Sequence, residues 1–214
     1  MKWRCAIVNF EEQSVSHLNQ PPKPFRFATP DDIESILPLA ISTVPGFVET
    51  LWSRLADENE PAEAFGRRVQ NAFIHEGNTI VADVEGQIAA MLVSFVISKK
   101  PNPFVREVDE MLVPVTRLYS KVPGVWYIHG IATAPDFQGS GLSSKLMLLA
   151  EERAIAAGVF EICLLVVDTN QNAIGFYEKR GYTVTASEPF VGCGADTEAT
   201  QWLLMNKSLA QESR

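Results

Sequence analysis

The sequence predicts one α/β domain built on a mixed sheet with helices on both faces, in the order β-α-α-β-β-β-α-β-α-β-β. Three observations carry that expectation. Strand-like and helix-like patterns alternate through the second half of the 214-residue chain. A nearly continuous apolar run, FEICLLVV at 160–167, reads as a strand covered on both faces. Glu85-Gly86 separates two apolar segments, as a tight hairpin turn does.

The elements follow in order. QPPKPF, 20–25, is a proline-rich extended connector, so the domain is expected at 24–208, with an extension at 1–23 and a tail at 209–214. A short strand spans 25–28. Thr29, Pro30, Asp31 and Asp32 then open a helix: a cap, a proline at the first helical position, and acids at the positive end. Pro38 is expected to kink or shorten it. A second helix starts near Pro61, with Phe65, Val69, Ala72 and Phe73 at helical spacing. The hairpin strands are 78–84 and 87–97. An insertion, 99–123, carries Phe104, Val108, Met111, Leu112, Val115 and Leu118 at helical spacing, interrupted by Pro114. VWYIHGIAT, 125–133, is the next strand. A helix from about Gly139 to Ala157 buries Leu142, Leu146, Leu149, Ala150 and Ala154, and ends at Gly158. After the 160–167 strand, Asp168 or Asn170 caps a last helix that stops at Gly181. Strands at about 182–187 and 200–206 close the domain around a glycine-containing loop.

Composition narrows the function classes. Apolar residues make up 46% of the chain, enough for a real core. No apolar run reaches the roughly 18 residues that a membrane span needs, and the N-terminus lacks a signal-peptide pattern, so a cytoplasmic protein is expected. A net charge of −8 argues against nucleic-acid binding. The three cysteines, Cys5, Cys163 and Cys193, have no metal-ligand spacing, and no metal is expected; Cys163 reads as a packed thiol.

The stretch DFQGSGLSSKLM, 136–147, leads from a strand into a helix. Helix starts leave N–H groups without intrahelical acceptors and carry the positive end of the macrodipole. Glycines allow close backbone approach to a phosphate, and Ser140, Ser143 and Ser144 offer further hydroxyl donors. Taken alone, the turn fits several readings. The Gly-Lys-Ser/Thr of a P-loop is absent. A dinucleotide fingerprint would need a glycine where Ser144 stands. A turn that merely starts a helix needs no ligand.

The next strand and helix supply a second motif. In VVDTNQNAIGFYEKRGY, the residues Asn170, Ala173, Tyr177, Glu178, Lys179, Gly181 and Tyr182 fall in a pattern that resembles the GNAT N-acetyltransferases. Gln138-x-x-Gly141 resembles that family's pyrophosphate loop, with Ser143 where Gly or Ala is usual. The resemblance follows the element order over 25–207 and is strongest over 125–182. It implies a splayed central strand pair and acetyl-CoA as co-substrate. The backbone of Ile131, Ala132 and Thr133 would receive the pantetheine arm like an added strand. N–H groups of Gln138, Gly139, Ser140, Gly141, Leu142 and Ser143 would take the pyrophosphate. Asn170 would contact the pantetheine, and Tyr177 would protonate the departing thiolate. Attack by an amine in a ternary complex needs a proton acceptor, for which His129 is the candidate, two residues before Ile131 on the same strand face.

Other residues carry less. Glu49, Asp57, Glu58 and Glu60 could select a cationic amine, although acids around surface helices are more often a solvated face. Trp52 and Trp126 read as core before pocket. Cys193 has no neighbour to lower its pKa, and His17 and His75 are isolated. The rival functions are a non-catalytic acyl-CoA sensor on the same fold and a Rossmann-like nucleotide binder. The partners expected are an acyl-CoA and an amine acceptor, and the exposed final strands suggest a homodimer.

Overall fold

A computed structural model describes residues 20–100, 108–192 and 198–209. Cys5, His17, Phe104 and Cys193 therefore lie outside the described residues. Seven strands form a sheet in the order β1-β2-β3-β4-β5-β7-β6. The chain divides into two compact units: one runs to Ser94 and resumes at Ile128–Ala156, and the other takes Phe95–Tyr127 and the chain from Ala157 onward.

In the first unit, β1 (Phe25–Phe27) pairs antiparallel with β2 (Thr79–Val84), which pairs with β3 (Gln87–Val96). Glu85 and Gly86 both have positive φ, 53° and 84°, as a two-residue hairpin turn requires. A 3-10 turn, Pro30–Asp32, leads into α1 (Ile33–Ile41). Asp32 fixes that start. Its carboxylate accepts Thr29 N–H at 2.7 Å and two hydrogen bonds from the Arg26 guanidinium at 2.7 and 2.8 Å. Hydrogen bonding from Arg26 holds the acid below the usual carboxylate range.

Pro38 lies inside the helix, which continues to Ile41. One expectation for this segment changes. Three helices precede the hairpin instead of two, because α2 (Phe47–Leu55) stands between α1 and α3 (Ala62–His75). Its signature is short but present: Gly46 at the N-cap, Glu49 Oε2 accepting Gly46 N–H at 2.7 Å, and Phe47, Leu51 and Trp52 on the buried face. Trp52 lies on α3 where Gly66 leaves room; a Cβ there would come within 2.3 Å of the ring.

In the second unit, β5 (Glu161–Val167) pairs antiparallel with β7 (Gln201–Ser208), which pairs with β6 (Thr183–Pro189). A register shift between Val184 and Ala186 bulges β6. The insertion contributes a 3-10 turn, Glu110–Leu112, and α4 (Val113–Tyr119), with Pro114 in the first turn where its missing N–H is tolerated. Met111, Leu112, Val115 and Leu118 are buried, as their spacing predicts, and α4 packs on β6. Cys163 is a fully buried free thiol whose pKa burial pushes up, which makes it unreactive.

The remaining elements are β4 (Trp126–Thr133), a 3-10 turn at Pro135–Phe137, α5 (Leu142–Ala156) and α6 (Gln171–Glu178). Gly158, φ 74°, follows α5 as the expected left-handed stop. Among the described residues, no helix is long and apolar enough to cross a membrane.

Candidate functional site

Strand β4 changes character along its length. Trp126, Tyr127 and Ile128 are buried, whereas His129 through Thr133 are half-buried. The buried end fixes the strand, and the other end leaves side chains and backbone within reach of a ligand. Ala134 N–H donates to Ala89 O at 2.8 Å and pins the strand's exit on β3.

The turn that follows sorts its donors clearly. Gln138 N–H donates to Pro135 O at 3.2 Å. Ser140 spends both donors on Phe137 O, its N–H at 3.3 Å and its hydroxyl at 2.5 Å. Ser140 therefore offers no hydroxyl hydrogen to a phosphate, contrary to the expectation from sequence. The regular i→i+4 hydrogen bonds begin with Lys145 N–H to Gly141 O at 3.2 Å. Among the described residues, the N–H groups of Gly139, Gly141, Leu142 and Ser143 have no protein acceptor. Gly139 and Gly141 sit at φ 78° and 82°, a backbone region that other residues enter at a cost. A Cβ at either position would meet nothing within 4 Å, so conformation and not crowding requires glycine there. Ser143 Oγ and Thr133 Oγ1 lie 2.7 Å apart and share a hydrogen bond.

His129 packs its ring against Phe73, centroids 5.0 Å apart and tilted by 46°. Burial pushes its pKa down to about 4, away from the near-neutral value expected of an ordinary histidine. The imidazole is neutral at pH 7 and weakly basic.

The second unit holds Asn170 and Tyr177 together on α6. Asn170 caps the helix, its Oδ1 accepting Ala173 N–H at 3.1 Å. That bond orients the amide and leaves its Nδ2 hydrogens as the groups it can offer outward. The preceding turn is held from several sides. Asn170 N–H donates to Val167 O at 3.0 Å and Gln171 Nε2 to Asp168 O at 2.7 Å. Asp168 accepts Thr200 N–H at 3.0 Å and the Thr200 hydroxyl at 2.5 Å. Tyr177 is about two turns further on, its ring buried edge-on to Phe176 at 5.4 Å and tilted on Tyr182 at 6.0 Å. Its hydroxyl makes no hydrogen bond to a described residue. Burial pushes its pKa up to about 12.

The remaining candidates resolve into structure. Trp52 and Trp126 are core residues. Glu49 caps α2. Glu60 accepts Arg68 at 2.6 Å and Asp57 N–H at 2.9 Å, and Asp57 lies 3.5 Å from the same guanidinium. Sequence reasoning did not find the part-buried pair Tyr119–Tyr127, whose hydroxyls bond at 2.9 Å between α4 and β4. Nothing in the spacing of two tyrosines on different elements signals it.

Known proteins share this fold. The chain is similar in fold to a polyamine N-acetyltransferase of Drosophila melanogaster, an enzyme that forms N-acetylagmatine (15% identity, TM-score 0.60, 86% of this chain and 99% of that one). It is similar also to Naa20 of Chaetomium thermophilum, solved with a bisubstrate analogue (20%, 0.59, 86% of each chain). A third similar structure is the PaiA N-acetyltransferase of Thermoplasma acidophilum, solved with coenzyme A (14%, 0.55, 86% and 97%). At these identities the likeness is one of fold. The sequence itself matches the model of the acetyltransferase (GNAT) family over residues 46–182, a span that takes in β4, the donor-rich turn and Tyr177. With more than half of its length matched, and with the fold in agreement, the chain belongs to the GNAT acetyltransferase family.

Proposed function

We propose that the protein transfers an acetyl group from acetyl-CoA to an amine of a small molecule or peptide, by direct attack in a ternary complex. The observation that carries this reading is the set of four N–H groups without acceptors, Gly139, Gly141, Leu142 and Ser143, at the start of α5. Converging amides at the positive end of a 15-residue helix suit the diphosphate of CoA. The family match and the neighbour solved with coenzyme A support that assignment.

The residues then take the following roles. Ile131, Ala132 and Thr133, on the half-buried end of β4, receive the pantetheine arm through their backbone. Asn170 donates Nδ2–H to a pantetheine carbonyl, because its Oδ1 is engaged by the cap. Tyr177, held protonated by burial, donates its proton to the CoA thiolate as the C–S bond breaks. The amine, attacking as the neutral base, forms the new C–N bond and releases one proton, while a proton from water restores the Tyr177 phenol. His129 is the nearest sequence candidate to accept the released proton, but a basicity near 4 makes it a weak acceptor, so this proton leaves chiefly through water. Holding both substrates together supplies much of the rate. The likeness in fold to a polyamine N-acetyltransferase that forms N-acetylagmatine supports an amine acceptor.

Two measurements test the proposal. Acetyl-CoA at one hundred times its dissociation constant should stabilise the fold by about 2.7 kcal/mol. Free CoA should be released when acetyl-CoA is supplied with members of an amine and peptide panel. Stabilisation without turnover on any acceptor would replace the enzyme with an acyl-CoA sensor. Stabilisation by NAD and by no CoA ester would remove both.

A further inference from the structure

We infer that the Thr133 and Ser143 hydroxyls form a clasp that preorganises the 134–142 turn for its diphosphate. The inference rests on the acyl-CoA reading above for what the turn binds. Thr133 is the last residue of β4, and Ser143 lies in the first turn of α5. Their 2.7 Å hydrogen bond closes the base of the turn. In many helices a first-turn serine bonds its own helix or water. Here the side chain reaches back ten positions to the strand.

The turn needs such a restraint. Pro135, Asp136 and Gln138 through Gly141 are exposed, so little packing holds them. Two of its residues are glycines in the left-handed region, and glycine loses more backbone freedom on ordering than any other residue. The bonds inside the turn are local: Gln138 to Pro135, and Ser140 to Phe137. Ala134 N–H on Ala89 O anchors only the entrance. The Thr133–Ser143 bond ties entrance to exit. It therefore sets the spacing between the strand end proposed for the pantetheine and the amides proposed for the diphosphate. Ordering the turn before the ligand arrives removes that cost from binding.

The clasp is tested on the full chain with Ser143→Ala, Thr133→Val, and the conservative Ser143→Thr and Thr133→Ser. Without ligand, amide hydrogen exchange at Gln138 and Ser140 should speed up about three- to tenfold in the first two variants and return toward the parent in the last two. The dissociation constant of CoA should rise by a similar factor, about three- to tenfold, in the first two. Pantetheine, which lacks the diphosphate, should bind the parent and the two Ser143 variants alike. Unchanged exchange in Ser143→Ala would overturn the clasp whatever the turn binds. Faster exchange with unchanged CoA affinity, or equal losses for CoA and pantetheine, would overturn its role in preorganisation. If the variants show the exchange effect but the parent binds neither compound, the diphosphate assignment falls with the acyl-CoA reading, while the restraint on the turn stands.

Discussion

The half-buried end of β4 and the face of α6 each carry one titratable candidate, and burial acts on both in the same way with opposite chemical consequences. Desolvation favours the neutral form of any side chain. For Tyr177 the neutral form is the useful one: a phenol held near 12 stays a proton donor at every physiological pH. For His129 the neutral form is also the one that can accept a proton, but a pKa near 4 means it holds that proton poorly. One environment thus preserves an acid and weakens a base. The acid is the residue on which catalysis should depend.

The largest expected effect follows. Tyr177→Phe should lower kcat by about a hundred- to a thousandfold, within the range of general acid catalysis. The fold should tolerate the change, since the phenyl ring fills the same space against Phe176 and Tyr182 and no protein hydrogen bond is lost. Steady-state CoA release measures the first and thermal unfolding the second. The parent rate should also show no alkaline loss up to about pH 10, because the phenol is still protonated there. Equal turnover in the phenylalanine variant would break the contrast at its stronger side.

A second, smaller effect separates conformation from contact. Gly141→Ala adds a methyl group that touches nothing, yet it places a Cβ on a residue at φ 82°. The strain of about 1 to 2 kcal/mol should pull the turn away from its anion-binding geometry and raise the KM for acetyl-CoA about five- to thirtyfold. Because Tyr177 and His129 are untouched, kcat at saturation should change much less. Isothermal titration with CoA gives the affinity directly. An unchanged dissociation constant would show that the left-handed turn is not what the cofactor reads.

The sequence made the order of strands and the two family motifs legible, because those depend on local signals. The hairpin is written in Glu85-Gly86, the buried strand in FEICLLVV, and the two motifs in Gln138–Ser143 and Asn170–Tyr177. What escaped depends on three-dimensional context. Helix α2 was missed because only Phe47, Leu51 and Trp52 bury, and Trp52 finds its place through Gly66 on another helix. Ser140 looked like a phosphate donor because a sequence does not say where a hydroxyl hydrogen goes; Phe137 O takes it. The acids near α2 and α3 read first as a solvated face and second as a cation selector, and Arg68 and the Gly46 amide engage three of the four. The basicity of His129 was likewise a default value that Phe73 and the surrounding core revise.

His129 supplies the weakest expected effect and the sharpest test of the contrast. An amine with an ordinary pKa near that of lysine, about 10, would give up its proton uphill to a group near 4. His129→Gln should therefore reduce kcat by less than about fivefold, well short of the usual contribution of a general base. The parent's kcat/KM should show no inflection near pH 6.5. The same depressed pKa has a stability consequence whose sign is fixed. Between about pH 6.5 and 4 the unfolded chain binds a proton at His129 that the folded chain does not. Stability then rises with pH across that window and is lost as the pH falls through it. Thermal unfolding at pH 7, 6, 5 and 4 should show a smaller acid loss in His129→Gln than in the parent. An inflection near 6.5 that the variant abolishes, together with parallel acid losses in both proteins, would mean that His129 keeps an ordinary pKa. The base would then regain its place beside Tyr177.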